Sequence, residues 1–167
     1  MAVGNTPAVS GVDELRAANE RYAATHPRRP LAAEPARRLA IVTCMDARLD
    51  PARFLGLAPG DAHVLRNAGG IVTDDVLRSL AISHHLLGTQ EVVVIGHTQC
   101  GMTAFANDDL RGRIGAGADE VDFLPFADVA DAVREGVRAV GASPLLPDSF
   151  RASGFVFDVE TGRIDAV

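Results

Sequence analysis

Leu39-Ala40-Ile41-Val42-Thr43-Cys44 is a short apolar run that ends in a cysteine and passes at once into Met45-Asp46-Ala47-Arg48. Continuous apolar runs of this length are what strands buried on both faces of a parallel sheet show. Val92-Val93-Val94-Ile95 repeats the pattern, running through Gly96 into His97, with Cys100 three residues later. Both predicted strands therefore stop where residues able to bind a metal begin. In open α/β sheets the carboxyl ends of the strands are where ligands bind.

The flanking segments extend this reading. A further strand is predicted at 62–66, ending at Asn67-Ala68-Gly69-Gly70, and Asp50-Pro51 opens a short helix to Leu57 as N-cap and first-turn proline. Thr73 caps a helix whose first turn carries Asp74 and Asp75, with Val76, Leu80, Ser83 and Leu87 along one face and Gly88 as its stop. A short helix is expected from Gly101 to about Leu110, then a glycine-rich stretch at 112–117. Val129, Val133, Val137 and Val140 mark a helix ending at Gly141. Residues 154–159 and 163–167 flank Glu160-Thr161-Gly162 as a terminal hairpin or edge strand. Strands alternating with helices give an α/β fold with a mostly parallel central sheet flanked by helices. Leu15, Ala18 and Tyr22 fall at helical spacing within 12–24, and three prolines in 26–35 make an extended linker. The expected organisation is an N-terminal helical arm and linker, 1–35, and an α/β domain, 36–167.

Composition narrows the chemistry. The chain has 167 residues, 47% hydrophobic and 23% charged, enough to bury a core. All 16 basic residues are arginine, so no lysine is present to form a Schiff base or serve a P-loop. A net charge of −6 gives no pull toward nucleic acid or anionic membrane. Cys44 and Cys100 are the two cysteines, too few for a disulfide framework. Residues 1–19 lack the pattern of a signal peptide, and no apolar run reaches the roughly 18 residues of a membrane span. The expectation is a soluble cytoplasmic protein whose thiols stay reduced.

Cys44, His97 and Cys100 form a soft N/S donor set suited to Zn2+, and three protein ligands leave one position open, as in catalytic zinc sites. A cysteine at a strand end is by itself most often a small buried hydrophobe. The convergence of both cysteines with a histidine carries the metal reading. Asp46 is placed to fill the fourth position as a ligand in a closed state, or to bond a water there. Arg48, two residues on, makes a charge-assisted pair with Asp46 easy, either as a catalytic dyad or as a solvated ion pair. Gly69 and Gly70 are candidates for presenting backbone N–H groups to an anionic substrate, with a plain tight turn as the alternative. Asp50 is assigned to capping. His26, His63, His84 and His85 are not at ligand spacing to the cysteines.

These residues compose three motifs: Cys44-Met45-Asp46-Ala47-Arg48, Arg66-Asn67-Ala68-Gly69-Gly70 and Gly96-His97-Thr98-Gln99-Cys100-Gly101. Their types, order and intervals resemble the β-class carbonic anhydrases, in particular the short bacterial and archaeal-type members. The resemblance implies zinc held by Cys44, His97 and Cys100, with Asp46 and Arg48 as the adjoining dyad. It implies a parallel sheet with an antiparallel edge strand, assembled as a homodimer or a multiple of dimers. It also implies reversible hydration of CO2 to bicarbonate and a proton. Met102 departs from the pattern, standing where many members have a second glycine. Two rival functions share the motifs: hydrolysis of carbonyl sulfide or carbon disulfide on the same zinc, and a non-catalytic zinc-binding regulatory role.

Overall fold

The computed structural model describes residues 11–26 and 30–167. Among them, two compact units are distinguished, one ending at Leu31 and one spanning Ala32–Val167. The first contains helix α1 (Gly11–Thr25), none of whose residues is buried. Part of the predicted linker, 27–29, lies outside the described residues.

The second unit is built on a five-stranded sheet: β1 (Leu39–Cys44), β2 (Ala62–Asn67), β3 (Glu91–His97), β4 (Arg151–Phe157) and β5 (Ile164–Ala166). The spatial order is β2-β1-β3-β4-β5. Neighbours are parallel except for β4 and β5, which pair antiparallel at one edge. The strands lying side by side in the middle, β1 and β3, are the two that end in Cys44 and His97, so adjacency in the sheet brings the reactive residues together.

Alternation along these strands feeds two cores. Ala40, Val42, Val92 and Val94 pack with Val76 and Leu80 of α3 (Asp74–His85) and with Val133 and Val140 of α5 (Val129–Gly141). Ile41 and Ile95, one residue out of phase, pack with Leu49, Met102 and Phe157, and Cys44 and Cys100 belong to this second cluster. The metal-binding candidates thus stand on the edge of a packed apolar layer. Phe54 of the short helix α2 (Pro51–Phe54) stacks on Phe157 there, with ring centroids 4.4 Å apart. Gly96 admits α5 on the other face: a Cβ there would lie 2.7 Å from a Val129 methyl and 2.8 Å from one of Val133. The residue just before His97 is therefore small because a helix rests on it.

Several boundaries differ from the expectations. Helix α2 is a single turn ending at Phe54, although Asp50 caps it as predicted, accepting from the Arg53 N–H. The helix predicted from Gly101 is divided: Gly101–Thr103 is one 3-10 turn, and α4 is Asn107–Ile114. The chain restarts because the Asp109 carboxylate accepts from the Ala106 N–H at 3.1 Å, capping a new helix. That helix runs through Gly112, the first residue of the glycine-rich stretch expected to follow the helix. Strand β4 begins at Arg151 instead of Gly154, in register with Glu91, to which Arg151 also forms an ion pair at 2.9 Å.

Candidate metal centre

Cys44 ends β1, His97 ends β3, and Cys100 follows in the turn that leads to the 3-10 segment. Their donor atoms all lie within 4.8 Å of one another, and all three residues are buried. No disulfide joins the thiols. His97 is fully buried; its Nδ1–H donates to the Thr98 carbonyl at 2.9 Å, which turns the bare Nε2 toward the thiols. That Nε2 is the buried side-chain polar atom without a hydrogen-bond partner among the described residues. Leaving such an atom unpaired costs about 1–3 kcal/mol. A cation at Nε2 would supply the missing partner. Tetrahedral zinc holds sulfur and nitrogen donors about 3.5–3.8 Å apart, a separation within the 4.8 Å that bounds this group.

Burial pushes the Cys100 thiol up from its ordinary value, and the neighbouring Cys44 adds to the effect. Without a cation the site therefore favours protonated sulfur, and a cation must displace that proton on binding.

Asp46 and Arg48 form a bidentate pair. Nε of Arg48 donates to Oδ1 at 3.0 Å and a terminal nitrogen to Oδ2 at 2.8 Å, while the backbone N–H of Arg48 also reaches Oδ1 at 2.9 Å. These bonds hold the Asp46 carboxyl far below the usual carboxylate range and raise Arg48 further. Oδ2 also lies 3.8 Å from His97 Nε2, so the carboxylate borders the donor group while its hydrogen bonds go to Arg48.

A second arginine shapes the loop that carries the pair. Arg66, on β2 beside Thr43, donates from Nε to the Cys44 carbonyl at 2.9 Å and from a terminal nitrogen to the Asp46 carbonyl at 2.6 Å. Asn67 clamps the following turn by accepting from the Ile71 N–H and donating to the Ile71 carbonyl. Gly70 in that turn has φ +67°, and a Cβ on it would lie 2.9 Å from the Cys44 nitrogen. Gly69 likewise faces Phe126 and Met102 at 2.9 and 3.1 Å. Close approach therefore accounts for both glycines, Gly70 against the backbone at Thr43 and Cys44 and Gly69 against the side chains of Phe126, Ile71 and Met102. Gly70→Ala is expected to destabilise the fold by about 3 kcal/mol, from overpacking and left-handed strain together. Urea unfolding checks this, with a reduced midpoint at unchanged slope as the expected result.

The remaining histidines are engaged elsewhere. His63 Nδ1 bonds the Ser83 hydroxyl, His84 Nδ1 donates to the Thr89 carbonyl, and His85 Nε2 donates to the Leu145 carbonyl. His26 bonds the Tyr22 hydroxyl. None joins the candidate metal group.

The carbonic anhydrase family model matches residues 39–122, which contain all three motifs. Beta-carbonic anhydrase 1 of Mycobacterium tuberculosis is 44% identical over 161 residues, covering 93% of this chain and 96% of that protein. The chain belongs to the β-carbonic anhydrase family. A crystal structure of the carbonic anhydrase from Streptococcus mutans superposes with a TM-score of 0.90 at 47% identity, covering 96% of this chain and 99% of the other. A carbon disulfide hydrolase of Acidianus is also similar, at 34% identity over 77% of this chain and 76% of its own. β-Carbonic anhydrases are zinc enzymes, and the Cys44–His97–Cys100 group fits that metal in donor type and spacing.

Three residues with no role assigned from the sequence reach the candidate site through hydrogen bonds. Arg66 was visible only as part of a motif; its signal is a guanidinium at the inner end of a strand beside two glycines. Gln99 was likewise visible only within a motif, and Glu160 only as part of the terminal turn. Gln99 accepts from Arg48 through both its side-chain and backbone oxygens, at 3.3 and 3.0 Å, and donates to Glu160 at 2.7 Å.

Proposed function

We propose that Cys44, His97 and Cys100 hold the zinc with which this chain hydrates CO2 reversibly to bicarbonate and a proton, and that Asp46 and Arg48 are the residues that orient the reaction. Zinc, when bound, supplies Lewis acidity and lowers the pKa of a coordinated water toward neutrality. The chain's own residues do the rest. Asp46, ionised and pinned by Arg48, accepts a hydrogen bond from the attacking water and so fixes where its lone pair points. Arg48 keeps both carboxylate oxygens engaged and so would hold Asp46 back from a zinc bound by Cys44, His97 and Cys100. Met102, Leu49 and the neighbouring apolar side chains furnish a low-polarity wall for a substrate with few polar handles. Gly69 and Gly70 belong to the proposed substrate side of the site: Gly70 lies against the Cys44 backbone and Gly69 against Met102, which packs with Cys44 and Cys100. The observation that carries the reading is the buried, unpartnered Nε2 of His97 between two thiols and beside a pinned carboxylate.

Zinc content and stopped-flow CO2 hydration on one purified sample test it. About one zinc per chain with rapid hydration is the expected result; a zinc-loaded protein without hydration activity overturns it. Carbonyl sulfide and carbon disulfide are linear and apolar like CO2, so sulfide release from each is measured beside it. The longer and more identical matches to carbonic anhydrases favour CO2 as the main substrate.

A homodimer, or a multiple of it, acting in the cytoplasm completes the proposal. Reduced, metal-binding thiols suit that compartment. In the described residues no helix is long and apolar enough to cross a membrane, and an acidic chain does not suit nucleic acid. The arm, 1–35, carries Leu15 and Tyr22 on a helix with no buried residue, which suits contact with a partner subunit. Light scattering is expected to give at least twice the chain mass of 17.5 kDa at micromolar concentration; a monomer counts against the assembly.

A further inference from the structure

Gln99 stands between two groups of opposite hydrogen-bonding character. On one side the Arg48 guanidinium can only donate; on the other the Glu160 carboxylate can only accept. The side-chain amide satisfies both in one orientation alone, with Oε1 toward Arg48 at 3.3 Å and Nε2 toward Glu160 at 2.7 Å. The Gln99 carbonyl accepts from the same guanidinium at 3.0 Å. Gln99 reaches this position with φ +55°, a left-handed conformation that glutamine rarely adopts. Glu160 is fixed in turn: it lies in the β4–β5 turn, where its N–H and that of Thr161 bond the Asp158 carboxylate. That turn is tied to the His97–Cys100 segment, since Val159 N–H donates to the Thr98 hydroxyl and Thr98 N–H to the Phe157 carbonyl.

We infer that Glu160 and Gln99 are positioning residues of the reaction: Glu160 sets the orientation of the Gln99 amide, and the amide oxygen holds Arg48 in its bidentate grip on Asp46. The inference rests on the proposed role of the Asp46–Arg48 pair. Its physical content is a sign. If residue 160 could only donate, the amide would reverse and turn its NH2 toward the guanidinium, loosening Arg48 instead of holding it.

Glu160→Lys, Glu160→Ala, Glu160→Gln and Gln99→Ala in the zinc-loaded enzyme test this sign. Each is checked for zinc content and thermal midpoint, then measured for CO2 hydration and for solvent exchange of the Arg48 Nε–H by NMR. Gln99→Ala is expected to lower kcat about fivefold and to speed that exchange. Glu160→Lys should fall below Glu160→Ala, and Glu160→Gln, which keeps an acceptor, should fall least. In the Gln99→Ala background Glu160→Lys should add nothing further, because no amide remains to reverse. An equal loss from Glu160→Lys with and without Gln99 overturns the inference, as does unchanged Arg48 exchange in Gln99→Ala. Arg48→Ala separates the two failures. If Arg48→Ala is inactive while the four variants match the parent, only the positioning role is lost. If Arg48→Ala is fully active, the role of the pair itself falls.

Discussion

Cys100→Ser is expected to retain less than about a tenth of its zinc after dialysis and about 1% or less of its CO2 hydration activity. Serine keeps the shape of the side chain but replaces a soft thiolate by a hydroxyl that stays protonated at neutral pH, so one of three donors is lost. The rest of the group cannot compensate. Cys44 and His97 are anchored at the ends of two adjacent central strands, and Asp46 is held by Arg48. Were Cys100 only a small buried hydrophobe, serine would cost some stability and leave metal content alone. Zinc per chain and circular dichroism on the same sample distinguish the cases. A folded Cys100→Ser protein with full zinc occupancy overturns the ligand set.

The parts of this site that local sequence reveals are those whose positions the sheet dictates. The apolar runs ending at Cys44 and His97 are buried strands, and parallel pairing of β1 with β3 aligns their ends without further instruction. Capping of α2 by Asp50 and α3 by Thr73 was legible for a similar reason, since each cap bonds within three residues. What escaped depends on contacts across the chain. Gln99 meets Arg48 across 51 residues and Glu160 across 61, in loops where neither periodicity nor composition announces a partner. Strand β4 was placed late because Arg151-Ala152-Ser153 is not apolar; pairing along β3 draws it into the sheet. The break before α4 follows from one carboxylate, Asp109, capping the Ala106 N–H, which helical periodicity does not register.

Arg48→Ala is expected to lower CO2 hydration near pH 7 by about a hundredfold, the scale of loss that misplacing a positioning group brings. The variant removes both guanidinium bonds from Asp46 and leaves only the backbone N–H of residue 48. The carboxylate, with Oδ2 3.8 Å from His97 Nε2, would then be close enough to compete with solvent for a zinc held by the three ligands. The sign of the pH effect follows from which competitor titrates. The folded-state pKa of Asp46 is depressed far below the ordinary carboxylate value. Asp46 therefore stays ionised from pH 5 to 9, and the stability it lends is lost only in acid, as pH falls below the unfolded value toward the folded one. Its own protonation puts no inflection into activity near neutrality. Solvent, by contrast, binds a cation better as hydroxide, so it gains on the carboxylate as pH rises. Activity of the parent should rise with pH through neutrality, and Arg48→Ala should recover partly at higher pH, with its midpoint displaced upward. Arg48→Lys should rescue only in part, because an ammonium cannot make the bidentate contact. Crystal structures of the zinc-loaded parent and Arg48→Ala at low and high pH decide the matter, since only exchange moves the carboxylate onto the metal. If Asp46 keeps away from zinc in Arg48→Ala at low pH, the competition is wrong, and Arg48 acts by orienting the carboxylate toward the attacking water alone.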